Sequence, residues 1–176
     1  SFLQPELADP ISFKGTRVTS PAATWAMLAP ELSDRDAVAL GDAVIRFPRI
    51  AGTNRLEQPR FATIEDLHRA IETPFRRHRK RLRSLVSKLS PHSASPPESH
   101  LRLLLTSWGL PPEKLDYDVR DTQGRFVGCS EIAYPSAKLA VEYEGDHHRT
   151  DKKQWNRDLE KYTGYQHLGW RILRVT

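Results

Sequence analysis

The chain has 176 residues, a hydrophobic fraction of 38% and a formal net charge of +5. No run of residues approaches the roughly 18 apolar residues of a membrane-spanning helix, which argues against an integral membrane protein of the helical kind. Because Cys129 is the single cysteine, the composition also excludes an internal disulfide and a cysteine-based zinc site. We therefore expect a cytoplasmic protein that folds as one domain or as a small domain with an attached segment.

The first half of the chain, residues 1–89, predicts a mainly helical segment. Residues 11–18 are compatible with one short strand. Three capping residues then predict the starts of three helices, because a serine or threonine at the cap satisfies a free backbone N–H of the first turn. These are Ser20 for a helix ending near Leu28, Ser33 for one ending near Phe47, and Thr63 for one ending at Ile71. Pro74 separates the third helix from a fourth over residues 75–89.

The fourth predicted helix carries most of the excess positive charge. A cluster of arginines and lysines that covers more than one side of a helix suits a polyanion such as a phosphate backbone. We therefore predict a nucleic-acid-binding surface formed by Arg76, Arg77, Arg79, Lys80 and Arg81. A solvated helix face accounts for the same residues, so both interpretations stay open.

The polar, proline-rich stretch at residues 90–95 predicts a linker, and the sequence pattern changes after it. We place a second domain at residues 96–176. Its predicted elements are a helix over 97–108, strands over 115–120 and 125–134 joined by a hairpin turn at Asp121–Gly124, a strand ending at Glu144, a helix over 151–167 and a strand over 170–175. This order, α-β-β-β-α-β, predicts an α/β domain.

The strand that ends at Glu144 brings acidic side chains together. Because side chains alternate between the two faces of a strand, Glu142 and Glu144 point to the same face. Two like charges one pleat apart repel each other unless a cation lies between them or one carboxylate takes up a proton. Asp146, His147 and His148 follow directly. They add further metal-binding or proton-handling groups to this strand end.

Two further glutamates extend the acidic group. Under strict alternation, Glu131 shares a strand face with apolar residues such as Val127 and Cys129, where a carboxylate is costly unless it is paired or bound to a metal. Glu98, near the start of the first helix of the domain, is the fourth candidate. Four carboxylates make an oxygen-rich site suited to Mg²⁺ or Mn²⁺. A capping role next to Ser95 explains Glu98 equally well.

The helix predicted over residues 151–167 has an aromatic stripe and a basic face. The stripe of Trp155, Leu159 and Tyr162 predicts the side that packs into the core. Three basic residues recur every four positions and therefore share a second face. We predict that this face binds nucleic acid, with solvent exposure as the alternative: Lys153, Arg157 and Lys161.

Several of these residues belong to one ordered series of motifs. The series consists of residues 131–135, Glu142-x-Glu144-Gly145-x-x-His148, Arg157-Asp158 and residues 169–174. The set resembles the very-short-patch-repair-like group of PD-(D/E)XK nucleases, which carry an E-x-D-G-x-x-H signature. The resemblance implies a restriction-endonuclease-like αβββαβ core for residues 96–176, with a mixed central sheet flanked by helices. Residues 11–47 are similar to the middle segment of longer actinobacterial proteins, which implies an upstream antitoxin-like winged-helix domain in the full-length chain.

The resemblance also implies a role for each matching position. Glu131 takes the place of a metal-binding aspartate, and Glu142 that of the second metal ligand. Glu144 stands where the group has aspartate, so that Glu131 and Glu144 each add one methylene of reach. His148 matches the motif histidine, a general acid/base or metal-shell residue, and Glu98 matches a glutamate of the first helix. The implied catalytic set is therefore these five residues.

The activity that the resemblance implies is Mg²⁺- or Mn²⁺-dependent hydrolysis of DNA phosphodiester bonds, for repair or defence in a bacterial cytoplasm. DNA is the expected partner, and a homodimer is a further expectation. RNA stays open as a substrate because no residue here is assigned to the sugar. The alternative function is a nuclease fold without chemistry that serves as the DNA-binding module of an antitoxin-like transcriptional regulator.

Overall fold

The computed structural model describes the backbone of residues 5–144 and 152–176, which form a mixed α/β structure. No helix in these two ranges has both the length and the apolar character needed to cross a membrane. In chain order the elements are α1 (Pro5–Ala8), β1 (Pro10–Phe13), β2 (Thr16–Thr19), α2 (Pro21–Leu28), α3 (Asp34–Ile45), α4 (Ile64–Glu72), α5 (Arg79–Val86), α6 (Pro96–Ser107), β3 (Lys114–Arg120), β4 (Phe126–Tyr134), β5 (Leu139–Tyr143), α7 (Lys152–His167) and β6 (Arg171–Val175).

The chain divides into two compact units. The first comprises Ser1–Pro48 and Gln58–Leu103, and the second comprises Arg49–Glu57 and Leu104–Thr176. This division differs from the predicted boundary at residues 90–95 because the first turns of α6 pack within the first unit. There, Asp42 of α3 accepts hydrogen bonds from Ser99 Oγ at 2.7 Å and from Arg102 Nη2 at 2.9 Å.

The first unit is a helical core that begins at the predicted caps. Ser20, Ser33 and Thr63 each accept a hydrogen bond from the backbone N–H three residues later. The predicted starts of α2, α3 and α4 are therefore confirmed. Trp25 of α2 is fully buried in the core that these helices share, and its indole N–H donates to the carbonyl oxygen of Ala37 at 2.9 Å.

Residues 10–19 form a hairpin rather than the single predicted strand. β1 and β2 pair in antiparallel fashion, from Pro10 opposite Thr19 to Phe13 opposite Thr16. The turn residues Lys14 and Gly15 both have positive φ angles, 48° and 80°. Positive φ at both central residues is the conformation that a two-residue hairpin turn needs. Glycine adopts it without a steric penalty.

The basic helix is shorter than the sequence predicts. α5 begins at Arg79 instead of residue 75, because Phe75 and His78 have left-handed backbone conformations, with φ of 63° and 59°. Such residues cannot continue a right-handed helix. The helix also ends at Val86, three residues before the predicted end. Residues 73–78 form a turn that precedes the helix.

The second unit contains a four-stranded mixed sheet in the order β3-β4-β5-β6. β4 pairs with β3 and β5 in antiparallel fashion, whereas β5 and β6 are parallel and are connected through α7. The hairpin turn at residues 121–124 joins β3 to β4 as predicted. Tyr165 of α7 is fully buried against Val119 and Ala140 of the sheet. From α6 onward, the elements follow the predicted order.

An irregularity in the β3–β4 ladder breaks the strict alternation of side chains. The register shifts by one residue near the end of β3. Val127 therefore packs with Tyr165 on the α7 side of the sheet. Cys129 instead donates a hydrogen bond to Asp116 Oδ1 at 3.0 Å. The prediction that Val127 and Cys129 share one face with Glu131 is therefore wrong, because the register shift inserts an extra residue.

Residues 49–57 are held on β3 by Arg49. Its Nε donates to Asp116 Oδ2 at 2.5 Å, and its Nη2 donates to Asp118 Oδ1 at 2.9 Å and to the carbonyl oxygen of Asp116. The N–H of Gly52 also donates to Asp118 Oδ1, at 3.0 Å. Burial raises the pKa of Asp118, but the hydrogen bonds from Arg49 and Gly52 outweigh it and lower that pKa overall. This loop is thus part of the sheet unit.

Helix α7 approaches β4 closely because each element places a glycine against a side chain of the other. A Cβ atom on Gly164 of α7 would lie 2.5 Å from Val127 Cγ1, and one on Gly128 of β4 would lie 2.8 Å from Lys161 Cγ. Both distances are shorter than side-chain packing permits. Gly164 and Gly128 therefore set the separation between α7 and the sheet.

We expect the substitution Gly164→Ala to lower the free energy of unfolding by about 1 kcal/mol or more, because overpacking a tight contact costs about 1–3 kcal/mol. This destabilisation is opposite to the usual effect in a helix, where alanine is more stabilising than glycine by about 1 kcal/mol. Val127 is β-branched and has little rotamer freedom with which to move away. Urea unfolding followed by circular dichroism measures the effect.

The double variant Gly164→Ala/Val127→Ala is the matched control, since it removes the atom that the new Cβ would contact. We expect the double variant to be more stable than Val127→Ala alone, because the helix preference then acts without the clash. A Gly164→Ala protein that is more stable than the wild type would contradict the close approach of α7 to β4.

Candidate active site

Glu142 of β5 and Lys161 of α7 form a buried ion pair. Glu142 Oε2 lies 2.9 Å from Lys161 Nζ, and Glu142 is only 6% exposed. The ammonium group also lies 5.8 Å and 5.6 Å from the ring centroids of Tyr162 and Tyr165. These distances are typical of cation–π contacts. Lys161 therefore faces the sheet, in contrast to its place on the predicted solvent- or DNA-facing side of the helix.

The second carboxylate oxygen of Glu142 has no hydrogen-bond partner among the described residues. This oxygen, Oε1, is buried. Burial raises the pKa of Glu142. The contacts with Lys161 and Ser130 oppose this shift, whereas the charge of Asp158 adds to it. A buried carboxylate oxygen without a hydrogen bond costs free energy. Oε1 is therefore the atom at which this site is best suited to receive a cation or a proton.

Tyr162 lies among the other charged groups around this ion pair. Burial raises the pKa of Tyr162 to about 12, the charges of Glu142, Asp158 and Glu144 add to the shift, and Arg174 opposes it. Arg174 Nη1 donates to Glu144 Oε1 at 2.8 Å, and the guanidinium lies 5.8 Å from the Tyr162 ring centroid. Three carboxylates and two basic groups therefore gather around one tyrosine at the end of β5.

Glu131 binds the backbone of the neighbouring strand. Its Oε2 accepts a hydrogen bond from the N–H of Tyr143 at 2.7 Å. The regular β4–β5 ladder ends with Ile132 opposite Val141, so the Glu131 carboxylate extends the pairing beyond that point. Tyr143 directly follows Glu142 in β5. The structure thus brings Glu131 to the strand end that carries the other two predicted glutamates.

Glu98 lies in the first unit and caps helix α6. Its Oε1 accepts a hydrogen bond from Ser95 Oγ at 2.9 Å, and its Oε2 accepts one from the Ala94 N–H at 2.8 Å. Ser95 Oγ in turn accepts from the Glu98 N–H at 3.4 Å. This is the capping role that the sequence offers as the alternative to catalysis. A catalytic role for Glu98 stays a prediction.

The remaining residues of the predicted motif lie outside the described residues. These are Gly145, Asp146, His147 and His148. The backbone of Lys153 and Arg157 belongs to α7, but their side chains also lie outside the description. The predicted roles of His148 in proton transfer and of Lys153 and Arg157 in nucleic-acid binding therefore stay predictions.

The basic residues of the predicted nucleic-acid surface divide into two groups. Arg76, Arg79 and Arg81 each donate to a backbone carbonyl oxygen of the first unit, at 3.0, 2.6 and 2.6 Å respectively. Their guanidinium groups therefore stabilise turns and helix ends. Arg77 and Lys80 are exposed. Of the five predicted residues, these two are the best placed to contact a nucleic acid.

In the part of the chain that the structure describes, no three His, Cys, Asp or Glu side chains are grouped so as to hold a metal ion. Three carboxylate oxygens of the predicted ligands already have donors, which are the Tyr143 N–H for Glu131, Lys161 for Glu142 and Arg174 for Glu144. Oε1 of Glu142 is buried and has no hydrogen-bond partner among the described residues, so it is suited to be one ligand of a metal ion, because Mg²⁺ prefers carboxylate oxygen.

Comparisons with known proteins give relatives but no activity. No protein-family model and no solved structure matches the chain. Two proteins of Mycobacterium tuberculosis are similar to it, the uncharacterized protein MT2308 of strain CDC 1551 / Oshkosh and the uncharacterized protein Rv2248 of strain ATCC 25618 / H37Rv. Each is 28% identical over 162 residues, which cover 92% of this chain and 55% of the relative. The chain thus spans about half the length of the curated relatives it matches.

Sequence reasoning placed Tyr162 on the packing side of α7 but missed that Asp158 and Lys161 lie on the same sheet-facing side. The predicted core stripe is wrong at Leu159, which is 56% exposed. The side that packs against the sheet instead follows the spacing of Asp158, Lys161, Tyr162 and Tyr165, at positions i, i+3, i+4 and i+7. The signal was the pair of tyrosines, because they share this stripe with the two charged residues.

Proposed function

We propose that the second unit is a divalent-metal-dependent DNA endonuclease of the PD-(D/E)XK, very-short-patch-repair-like kind. The observation that carries the proposal is the buried Glu142, whose Oε2 binds Lys161 while its Oε1 has no hydrogen-bond partner in the part of the chain that the structure describes. A carboxylate kept in such surroundings, with further charged groups beside it, is more typical of a reactive site than of a solvated strand face. The mixed four-stranded sheet and the order of elements from α6 to β6 support a restriction-endonuclease-like core.

In this proposal Glu131, Glu142 and Glu144 hold Mg²⁺ or Mn²⁺. The bound metal would lower the pKa of a water molecule and neutralise charge on the phosphate. The protein's own contacts prepare these ligands, since the Tyr143 N–H orients Glu131, Lys161 favours the ionised form of Glu142, and Arg174 orients Glu144. His148 is the proposed residue for proton transfer.

DNA is the proposed partner, bound through its phosphates. Arg77 and Lys80 are exposed in the first unit. Lys153 and Arg157 of α7 are the further proposed contacts. Because such contacts release counterions from the DNA, we expect the affinity to fall steeply as the salt concentration rises.

The hydrogen-bond and ion-pair donors that already bind the three glutamates favour a second function, DNA binding without cleavage. Glu131, Glu142 and Glu144 each already bind a donor within the protein. A nuclease fold whose carboxylates are occupied by internal donors in this way would bind DNA without cutting it. Such a protein would serve as the DNA-binding module of an antitoxin-like transcriptional regulator.

The two functions are separated by cleavage assays on supercoiled and linear DNA with Mg²⁺, Mn²⁺ or EDTA, and with an RNA of the same sequence as a further substrate. The nuclease proposal expects DNA cutting that requires the metal and stops in EDTA. DNA binding that is sensitive to salt, without cutting in either metal, would instead establish the binding module.

A further inference from the structure

We infer that Lys161 is a built-in competitor of the divalent metal at Glu142, so that its positive charge weakens the affinity of the site for free metal ions. This inference rests on the proposed function, since it concerns the same site. It assigns to Lys161 the regulation of metal loading, a role distinct from the DNA contact that the sequence predicts for this residue.

The ammonium group of Lys161 lies directly beside the Glu142 carboxylate. Lys161 Nζ lies 2.9 Å from Oε2 of Glu142, while Oε1 of the same carboxyl group is buried and has no hydrogen-bond partner in the described ranges. A divalent cation that binds Oε1 would therefore lie within a few ångströms of Lys161. Like charges this close repel each other strongly where burial reduces screening by water and salt.

The Lys161 side chain is held in place by its contacts with β4 and with two tyrosines of α7. Its Cγ passes so close to Gly128 that a Cβ there would lie 2.8 Å from it. Its ammonium lies near the faces of Tyr162 and Tyr165, at 5.8 Å and 5.6 Å from their centroids. These contacts hold the stem and the charge beside Glu142. The repulsion is therefore a fixed property of the site.

The test is the affinity for Mn²⁺, measured on the full chain by titration calorimetry and by electron paramagnetic resonance of the free ion. Lys161→Met removes the charge and keeps a flexible side chain of similar length. We expect this variant to bind Mn²⁺ more tightly than the wild type by about tenfold or more, because one nearby positive charge is lost. Lys161→Arg keeps the charge and should not bind Mn²⁺ more tightly than the wild type.

Two further variants locate the effect. Lys114→Met removes an exposed lysine of β3 and should leave Mn²⁺ affinity unchanged. Glu142→Gln/Lys161→Met should lose the gain in affinity, because the tightened binding requires the Glu142 carboxylate. Thermal unfolding checks that each protein is folded. If Lys161→Met does not fold, Lys161→Gln replaces it, and we expect the same gain in Mn²⁺ affinity.

Equal Mn²⁺ affinity for Lys161→Met and the wild type would overturn the inference and leave the proposed nuclease intact. Tighter binding by Lys161→Met, together with no DNA cutting in either metal, would support the inference and overturn the nuclease. Absence of Mn²⁺ binding by every variant would overturn both.

Discussion

Replacing Arg49 with alanine is expected to lower the free energy of unfolding by about 3 kcal/mol, the lower end of the range for breaking a buried ion pair. The Arg49 side chain is 9% exposed and binds both Asp116 and Asp118. Without it, the Asp116 carboxylate loses its cation while it stays partly buried. Asp118 keeps a contact with Arg120 at 3.3 Å, which moderates the loss.

Urea unfolding of Arg49→Ala and of a matched control measures this effect. Arg35→Ala is the control, because the Arg35 side chain is 71% exposed and its nearest carboxylate contact, with Asp36, is 3.8 Å long. We expect the control to change the free energy of unfolding by less than about 1 kcal/mol. If Arg49→Ala were as stable as Arg35→Ala, residues 49–57 would not be an integral part of the sheet unit.

Arg49 also illustrates which parts of the fold can be predicted from the sequence. Ser20, Ser33 and Thr63 act on the backbone three residues away, so local pattern was enough to place the starts of α2, α3 and α4. Arg49 acts on a residue 67 positions later. No local signal indicates such a pairing, and the sequence therefore assigns residues 49–57 to a loop of the helical segment.

The start of the basic helix was missed for a related reason. Hydrophobic and charged periodicity continues through residues 75–78, but Phe75 and His78 adopt left-handed conformations. Arg76 and Arg79, on either side, donate to backbone carbonyl oxygens. These long side chains stabilise a turn through tertiary contacts, and periodicity alone does not reveal them.

The candidate site was predicted in part. The strand alternation predicted that Glu142 and Glu144 point to the same face, and the charges of both raise the pKa of Tyr162. The separation of Val127 from Cys129 was not predictable, because the register shift in the β3–β4 ladder changes which side chains share a face. The phase of α7 was also missed, since its sheet-facing side includes Lys161, a residue type that is usually exposed.

Glu142→Gln is expected to lower the rate of DNA cleavage in Mg²⁺ by about a hundredfold or more, given the proposed nuclease function. Bound metal contributes several kcal/mol to stabilising the transition state, and each 1.4 kcal/mol corresponds to about a tenfold change in rate. Glutamine keeps the size of Glu142 and removes the charge that would hold the metal. Initial rates of plasmid nicking at saturating Mg²⁺ measure the effect.

Glu160→Gln is the matched control for charge, because Glu160 is an exposed acid of α7 one residue from Lys161. We expect it to cut DNA at the wild-type rate. Glu142→Gln also leaves Lys161 without its carboxylate and therefore lowers stability as well as activity. A double variant is the control for this loss of stability.

The double variant Glu142→Gln/Lys161→Met removes both charges of the buried pair. Replacing both partners of a buried ion pair is often neutral for stability, whereas removing one is not. We therefore expect the double variant to unfold closer to the wild-type midpoint than Glu142→Gln and still to cut DNA at least about a hundredfold more slowly, since the metal ligand is absent. Recovery of cleavage together with recovery of stability would show that Glu142 supports the fold through Lys161 and has no part in the chemistry.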